Sequence, residues 1–197
     1  MKIPLKYQVT EFDCAPTSFI NALIFLFERE ELPAYLITSI YANTLDRPDR
    51  NGNIGHFGTS KKATKELCKT INEYANEKNF NINCFYSNGE STIEDFINCI
   101  KESGVILIRI YQTYEHYVLI TNIKNKKAYI FDPYYNGKNF KVEDAAINFI
   151  MNKPFNYNVV VDLERLFEES KRDFSMGMKN KRESVYIYKT NIGEKND

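Results

Sequence analysis

The sequence predicts an α+β protein in which helices precede an antiparallel sheet. A helix over 14–29, near the N terminus, is apolar nearly all round, as is typical of a buried helix. Three segments rich in β-branched and aromatic residues follow at 104–111, 115–123 and 127–135, and short polar connections join them. Helical patterns thus dominate the first half of the chain and strand patterns the second, which favours the α+β class.

The composition is that of one globular domain. The chain has 197 residues, with 26 Lys and Arg balancing 26 Asp and Glu, and we predict a single domain over 1–197 whose tail, 191–197, is frayed. Without a basic surplus, neither nucleic acid nor a membrane is an expected partner, and the oligomeric state stays open. The sequence shows no export signal, and the apolar run 19–27 is too short to span a bilayer. We therefore expect a cytoplasmic protein whose four cysteines are free thiols.

The first helix is expected to begin at a cysteine and to run to about Arg29, with Leu32 and Pro33 stopping it. Asp13 can act as its N-cap by accepting a backbone N–H, and Pro16 is tolerated because N–H groups of the first turn lack intrahelical partners. Cys14 then lies at the positive end of the helix dipole, where the thiolate form of a cysteine is favoured. A nucleophile would be placed at such a position.

Three further helices are predicted in the first half. One spans 33–43 with proline in its first turn, one runs from a cap at Thr59 or Ser60 to about Lys78, and one follows a capping box formed by Ser91 and Glu94. The long glycine- and proline-containing loop 45–60 separates the first two. Loops of this length in compact domains are often functional, so we expect a lid or a substrate-binding edge there.

The remaining elements follow from shorter patterns. The segment 81–87 alternates as a strand, 158–162 reads as a short strand or turn, and 184–190 as a last strand. Helices are expected over 141–151 and 163–171.

Two residues of the second half can join Cys14 in one constellation. His116 lies at the start of one strand and Asp132 at the end of the next. In a hairpin across 124–127, the residue numbers of paired positions add up to between 248 and 251. A sum of 248 places Asp132 directly opposite His116, whereas a slip by one residue places them on opposite faces, so the contact depends on register or on a bulge.

Together these residues would perform acyl transfer through a thiol. Cys14 would be the nucleophile, His116 the base and later the acid, and Asp132 the group that orients the imidazole. Gln8, six positions before Cys14, can donate its side-chain amide to an oxyanion together with the backbone N–H of Cys14. No cofactor is predicted.

These residues resemble the double-glycine peptidases, papain-superfamily cysteine peptidases best known as the leader-removing domains of bacteriocin exporters. The pattern is Gln8, then Asp-Cys ending at Cys14, then His-Tyr-Val from His116, then Asp-Pro from Asp132. The resemblance implies a papain-like fold and the four roles given above, with a peptide or acyl compound as substrate. Ala15 stands where the family usually has glycine, and neither a membrane domain nor an ATP-binding motif follows.

Other interpretations stay open at this point. The same site would suit an acyltransferase or amidohydrolase, and a binding module could keep the fold without catalysis. Zinc binding by Cys14, His116 and Asp132 has the right ligand types but no evident fourth ligand. His56 is interpreted as a loop or substrate-edge residue, and the other cysteines are expected to be buried; they are Cys68, Cys84 and Cys99.

Overall fold

A computed structural model describes residues 1–89, 91–135 and 144–190. The helices are α1 (Cys14–Leu26), α2 (Ala34–Ala42), α3 (Lys61–Lys78), α4 (Ile93–Lys101) and α5 (Leu163–Leu166), with 3₁₀ turns at Arg29–Glu31 and Lys179–Lys181. The strands are β1 (Ile82–Asn88), β2 (Val105–Gln112), β3 (Tyr114–Lys124), β4 (Lys127–Phe131), β5 (Ile147–Phe149), β6 (Val159–Asp162) and β7 (Glu183–Lys189). The expected tail 191–197 lies outside the described residues.

The seven strands form one antiparallel sheet in the order β1-β7-β2-β3-β4-β6-β5. The predicted mixture of helices and antiparallel sheet is therefore confirmed, including the adjacent strands β2, β3 and β4. Alternate residues of the sheet face two separate apolar cores. On β3, Tyr117 and Leu119 face the core that contains α1, α2 and α3, whereas Val118 and Ile120 face the core that contains α4 and α5.

Helix α1 is the centre of the first core. Residues 14–24 are all buried, as the apolar sequence predicts, and the helix packs against β3 and β2. It ends at Leu26, before the predicted Arg29, because Phe27 leaves the helical conformation and stacks its buried ring on Phe80, with the ring centroids 4.7 Å apart. No helix of the described ranges is long and apolar enough to cross a lipid bilayer.

Helices α3 and α4 each begin at a side-chain cap formed by residues close together in the sequence. Ser60 caps α3 as predicted, since its hydroxyl accepts the N–H of Ala63. The capping box predicted from Ser91 and Glu94 is displaced by one residue. Thr92 and Asp95 form it instead: the Thr92 hydroxyl accepts the Asp95 N–H, and the Asp95 carboxylate accepts the Thr92 N–H.

Two predicted helices of the second half are corrected. In place of the helix over 141–151, the described residues form the edge strand β5, which pairs with β6 and buries Ile147; residues 141–143 lie outside the description. The helix predicted over 163–171 stops at Leu166. The Glu168 N–H donates to the Arg165 carbonyl, three residues back, and not to the Glu164 carbonyl that would continue the helix, and the Phe167 carbonyl accepts a hydrogen bond from the Arg182 guanidinium.

The loop 45–60 is tied at its base. The Leu45 N–H donates to the Thr59 hydroxyl, and the Asp46 carboxylate accepts the N–H and hydroxyl of Ser60. Within the loop, the His56 ring stacks on Phe12 with the centroids 5.9 Å apart. The loop therefore rests beside the segment that leads into α1.

Candidate active site

The site begins at the first residue of α1. Cys14 is 8% exposed and lies at the N-terminal end of a buried helix. Asp13 precedes it, but its carboxylate does not cap the helix as predicted. It turns back and accepts the N–H of Val9 at 3.0 Å and both the N–H and the hydroxyl of Thr10 at 2.7 and 2.6 Å. Asp13 thus fixes the arm before the helix.

The hairpin of β3 and β4 brings His116 and Asp132 to one face through a bulge. From Lys124↔Lys127 to Asn122↔Tyr129, paired residue numbers add up to 251, and beyond Thr121 the sum becomes 250. A constant sum of 251 would place His116 and Asp132 on opposite faces. The observed sums lie within the predicted range of 248 to 251, and of the two possibilities left open, direct pairing at 248 or a bulge, the structure has the bulge.

In the register beyond the bulge, His116 and Asp132 are diagonal neighbours on one face of the hairpin. If the sum of 250 continues one residue past Phe131, Asp132 lies opposite Val118. His116 lies two residues from Val118 and therefore on the same face. At that spacing the two side chains meet: His116 Nε2 lies 2.7 Å from Asp132 Oδ1.

Asp132 is fully buried, and both its carboxylate oxygens and its backbone N–H and C=O are hydrogen-bonded. Its Oδ1 also accepts the N–H of Tyr134 at 2.8 Å, and its Oδ2 accepts the side-chain amide of Gln112 at 3.2 Å. The Asn158 side chain holds its backbone, donating to the Asp132 carbonyl at 2.8 Å and accepting its N–H at 2.7 Å. The carboxylate is consequently fixed in position and in the plane of its two oxygens.

The environment of His116 favours the charged imidazolium. Burial alone would lower its pKa, but the charges of Asp132 and Cys14, together with hydrogen bonds to both, raise the pKa from 6.5 to about 10. Because Nε2 faces Asp132, Nδ1 is the ring nitrogen left for the Cys14 sulfur. An imidazolium beside a sulfur favours the thiolate, which is the nucleophilic form.

Gln8 supplies a side-chain amide to the same place. Its backbone N–H donates to the Pro133 carbonyl at 2.8 Å, which ties the arm to the residue after Asp132. Its Nε2 donates to the Thr10 carbonyl at 2.7 Å, so the second hydrogen of that amide nitrogen stays available. Within the described residues, the buried Oε1 of Gln8 has no hydrogen-bond partner.

These residues line one open cleft of about 270 Å³, which we name the Cys14 cleft. Its lining consists of Gln8, Glu11 and Cys14, the tip of the β2–β3 hairpin at 112–116, and Tyr134. All predicted site residues meet here, with Asp132 buried behind His116. His56 and the rest of the loop 45–60 do not belong to this lining.

Sequence reasoning missed Gln112 and Asn158. Gln112 ends β2, and only its place beside the turn before His116 could have drawn attention to it. Asn158 lies 26 residues after Asp132, so no local pattern connects the two.

The assembled groups suit nucleophilic acyl chemistry. A buried imidazole contacts both a thiol and a carboxylate, and amide donors lie beside the thiol. Among the residues that the structure describes, no group of three or more His, Cys, Asp or Glu side chains is arranged to hold a metal ion. All four cysteines are free and buried.

Comparisons with known proteins bear on the fold. No protein-family model and no curated protein matches the sequence. A solved structure from Bacillus anthracis, provisionally described as a C39-like peptidase, matches over 96% of both chains with a TM-score of 0.52 and 15% sequence identity. At that identity the likeness shows the fold alone: this chain has the fold of a C39-like peptidase.

Proposed function

We propose that the protein is a cysteine peptidase with a papain-like arrangement, related to the double-glycine peptidases. The contact of one buried imidazole with both Cys14 and Asp132 carries the proposal. The likeness to a C39-like peptidase supports it at the level of the fold. Peptides are the proposed substrates and the cytoplasm the proposed location, without a cofactor, nucleic acid or membrane as partner.

The proposed reaction begins with a thiolate–imidazolium pair. The Cys14 sulfur attacks the scissile carbonyl carbon, and the resulting oxyanion accepts hydrogen bonds from Gln8 Nε2 and the backbone N–H of Cys14. As the C–N bond breaks, His116 gives its proton to the leaving amine, and an acyl thioester remains on Cys14. Because the raised pKa keeps the proton on His116 at rest, the imidazole acts first as an acid.

The second half of the reaction returns the enzyme to its starting state. The neutral imidazole of His116 accepts a proton from water, whose oxygen attacks the thioester carbonyl. The thiolate then leaves, and the carboxylic acid product departs. Asp132 holds Nε2 throughout and stabilises each imidazolium that forms.

The test is a peptide-library digestion followed by mass spectrometry. We expect cleavage products, and a transient mass increase on the peptide that contains Cys14 after rapid acid quenching. Cys14→Ala should abolish both, whereas Cys68→Ala, which removes a buried thiol from α3, should retain both. Products that form only with an added amine would point to acyl transfer, and no Cys14 adduct under any condition would contradict the proposal.

A further inference from the structure

Among the residues that the structure describes, the lining of the Cys14 cleft contains two carboxylates and no lysine or arginine. We propose that Glu11 selects substrates that carry a cationic group, a lysine or arginine side chain or a free amino terminus, close to the scissile bond. This inference rests on the proposed peptidase function and names the chemistry of its substrate.

The described charges around the cleft leave a negative excess. In the proposed resting state the charges of Cys14 and His116 cancel, and the buried Asp132 then contributes one negative charge. Glu115 is compensated, since its carboxylate lies 2.8 Å from the Arg109 guanidinium. Glu11 has no ion-pair partner within the described residues, so it adds a second uncompensated negative charge.

Two described basic residues lie on the other side of Glu115. Arg109 and Lys181 line a separate, smaller hollow that shares Glu115 with the Cys14 cleft. Arg109 is also engaged with the buried Glu183, at 3.4 Å from Nε to the carboxylate. The charge of Arg109 is therefore shared between Glu115 and Glu183.

The arm fixes Glu11 at the edge of the cleft. On one side, the carboxylate of Asp13 binds the backbone of Val9 and Thr10. The Thr10 hydroxyl accepts the N–H of Phe12 at 3.3 Å on the other side. Glu11 is exposed, but the backbone that carries it is held between the proposed oxyanion donor Gln8 and the nucleophile.

Two tyrosines give the same ligand a second contact. Tyr114 lines the cleft and is 80% exposed, and Tyr134 also lines it. Aromatic faces attract ammonium and guanidinium groups and cover the apolar stems of lysine and arginine. A cleft lined by the Glu11 carboxylate and by these two rings therefore fits a cationic side chain better than an anionic one.

Charged thiol reagents measure this selectivity without a substrate. We would compare the reaction rates of Cys14 with 2-aminoethyl methanethiosulfonate, which is cationic, with the anionic 2-sulfonatoethyl reagent and with neutral methyl methanethiosulfonate. Rates are divided by those for a small free thiol, which removes the intrinsic reactivity of each reagent. One uncompensated charge several ångströms away should change a rate about threefold at low salt. The wild type should thus favour the cationic reagent over the neutral one, and the neutral one over the anionic.

Glu11→Gln should reduce this preference about threefold, as should raising the salt concentration to about 1 M, where the Debye length is about 3 Å. Glu77→Gln, which removes an exposed carboxylate from α3 outside the cleft, should leave it unchanged. In peptide libraries, cleaved sequences should be enriched in lysine or arginine near the cut, and Glu11→Gln should weaken that enrichment.

The outcomes separate this inference from the proposed function. Equal relative rates for the three reagents in the wild type, or a preference unchanged in Glu11→Gln, would overturn the role of Glu11 while leaving the peptidase proposal intact. A Cys14 that reacts with none of the reagents would overturn the peptidase proposal itself.

Discussion

Replacing Asp132 with asparagine tests whether the buried carboxylate keeps His116 protonated. The two side chains meet at 2.7 Å, and Asp132 is fully buried. Against the lowering effect of burial, the charge of Asp132 is the largest of the contributions that raise the pKa of His116 to about 10. Asp132→Asn removes that charge while it keeps the size of the side chain and one oxygen acceptor.

The magnitude follows from the closeness of the pair. An opposite charge at this distance changes a pKa by about 1 to 3, and each pKa unit corresponds to about 1.4 kcal/mol. We therefore expect the pKa of His116 to fall by about 1 to 3 in Asp132→Asn. The value of kcat/KM should fall by about 100-fold or more, because the imidazole loses its orienting partner.

The assay is a titration of the two histidine rings by NMR. The chain has only 2 histidines, and His56 lies in the loop 45–60, so its titration serves as an internal reference for folding. Cys14→Ala, titrated in parallel, separates the contribution of the sulfur. An unchanged titration of His116 in a folded Asp132→Asn protein would refute the electrostatic reasoning.

The same pair predicts a dependence of stability on pH. The folded-state pKa of His116 lies above its ordinary value of 6.5, so its contribution to the free energy of unfolding is fully present below about pH 6.5. That contribution is lost as the pH rises through about 10. In urea unfolding, Asp132→Asn should accordingly lower the free energy of unfolding more at pH 6 than at pH 10. An equal or smaller decrease at pH 6 would contradict this assignment.

Three further predictions concern the groups around the pair. Asn158→Ala leaves the buried N–H and C=O of Asp132 without their partner, so urea unfolding should show a loss of about 2–4 kcal/mol; a loss below 1 kcal/mol would mean that water or another group replaces the amide. Gln112→Met removes the donor to Asp132 Oδ2, and we expect kcat to fall about 10-fold with KM unchanged and the pH profile shifted. An unshifted profile with lower stability would instead indicate a purely structural role. Gln8→Ala should lower kcat about 100-fold without slowing alkylation of Cys14, and slower alkylation would show that Gln8 acts on the thiol instead of the oxyanion.

The parts of the fold that the sequence predicts are those encoded by local patterns. Ser60 caps α3 because a hydroxyl at that position reaches the first turn wherever the helix lies. The strands β2, β3 and β4 follow from segments rich in β-branched and aromatic residues. Helix α1 is buried because it has no polar face. Each of these signals lies within one segment.

The errors arise where distant segments compete with the local pattern. The helix predicted over 141–151 gives way to the edge strand β5 because β6 offers a pairing edge. The helix predicted from 163 ends at Leu166, and the Phe167 carbonyl that follows binds the distant Arg182. In the candidate site, the bulge at Thr121 decides which face carries Asp132. The buried Thr121 hydroxyl donates to the Asn156 carbonyl at 2.8 Å, and no sequence pattern within the hairpin predicts this contact.

Alkylation of Cys14 by iodoacetamide across a range of pH, in the wild type and in His116→Ala, tests the central proposal most directly. Burial raises the pKa of the Cys99 thiol to about 11 and that of Cys84 well above its usual range. Peptide mapping should therefore find selective labelling of Cys14 near pH 6, and His116→Ala should remove that selectivity because the imidazolium is gone. If Cys14 reacts no faster than the other thiols, or if its rate does not depend on His116, the thiolate–imidazolium pair does not exist and the peptidase proposal is wrong.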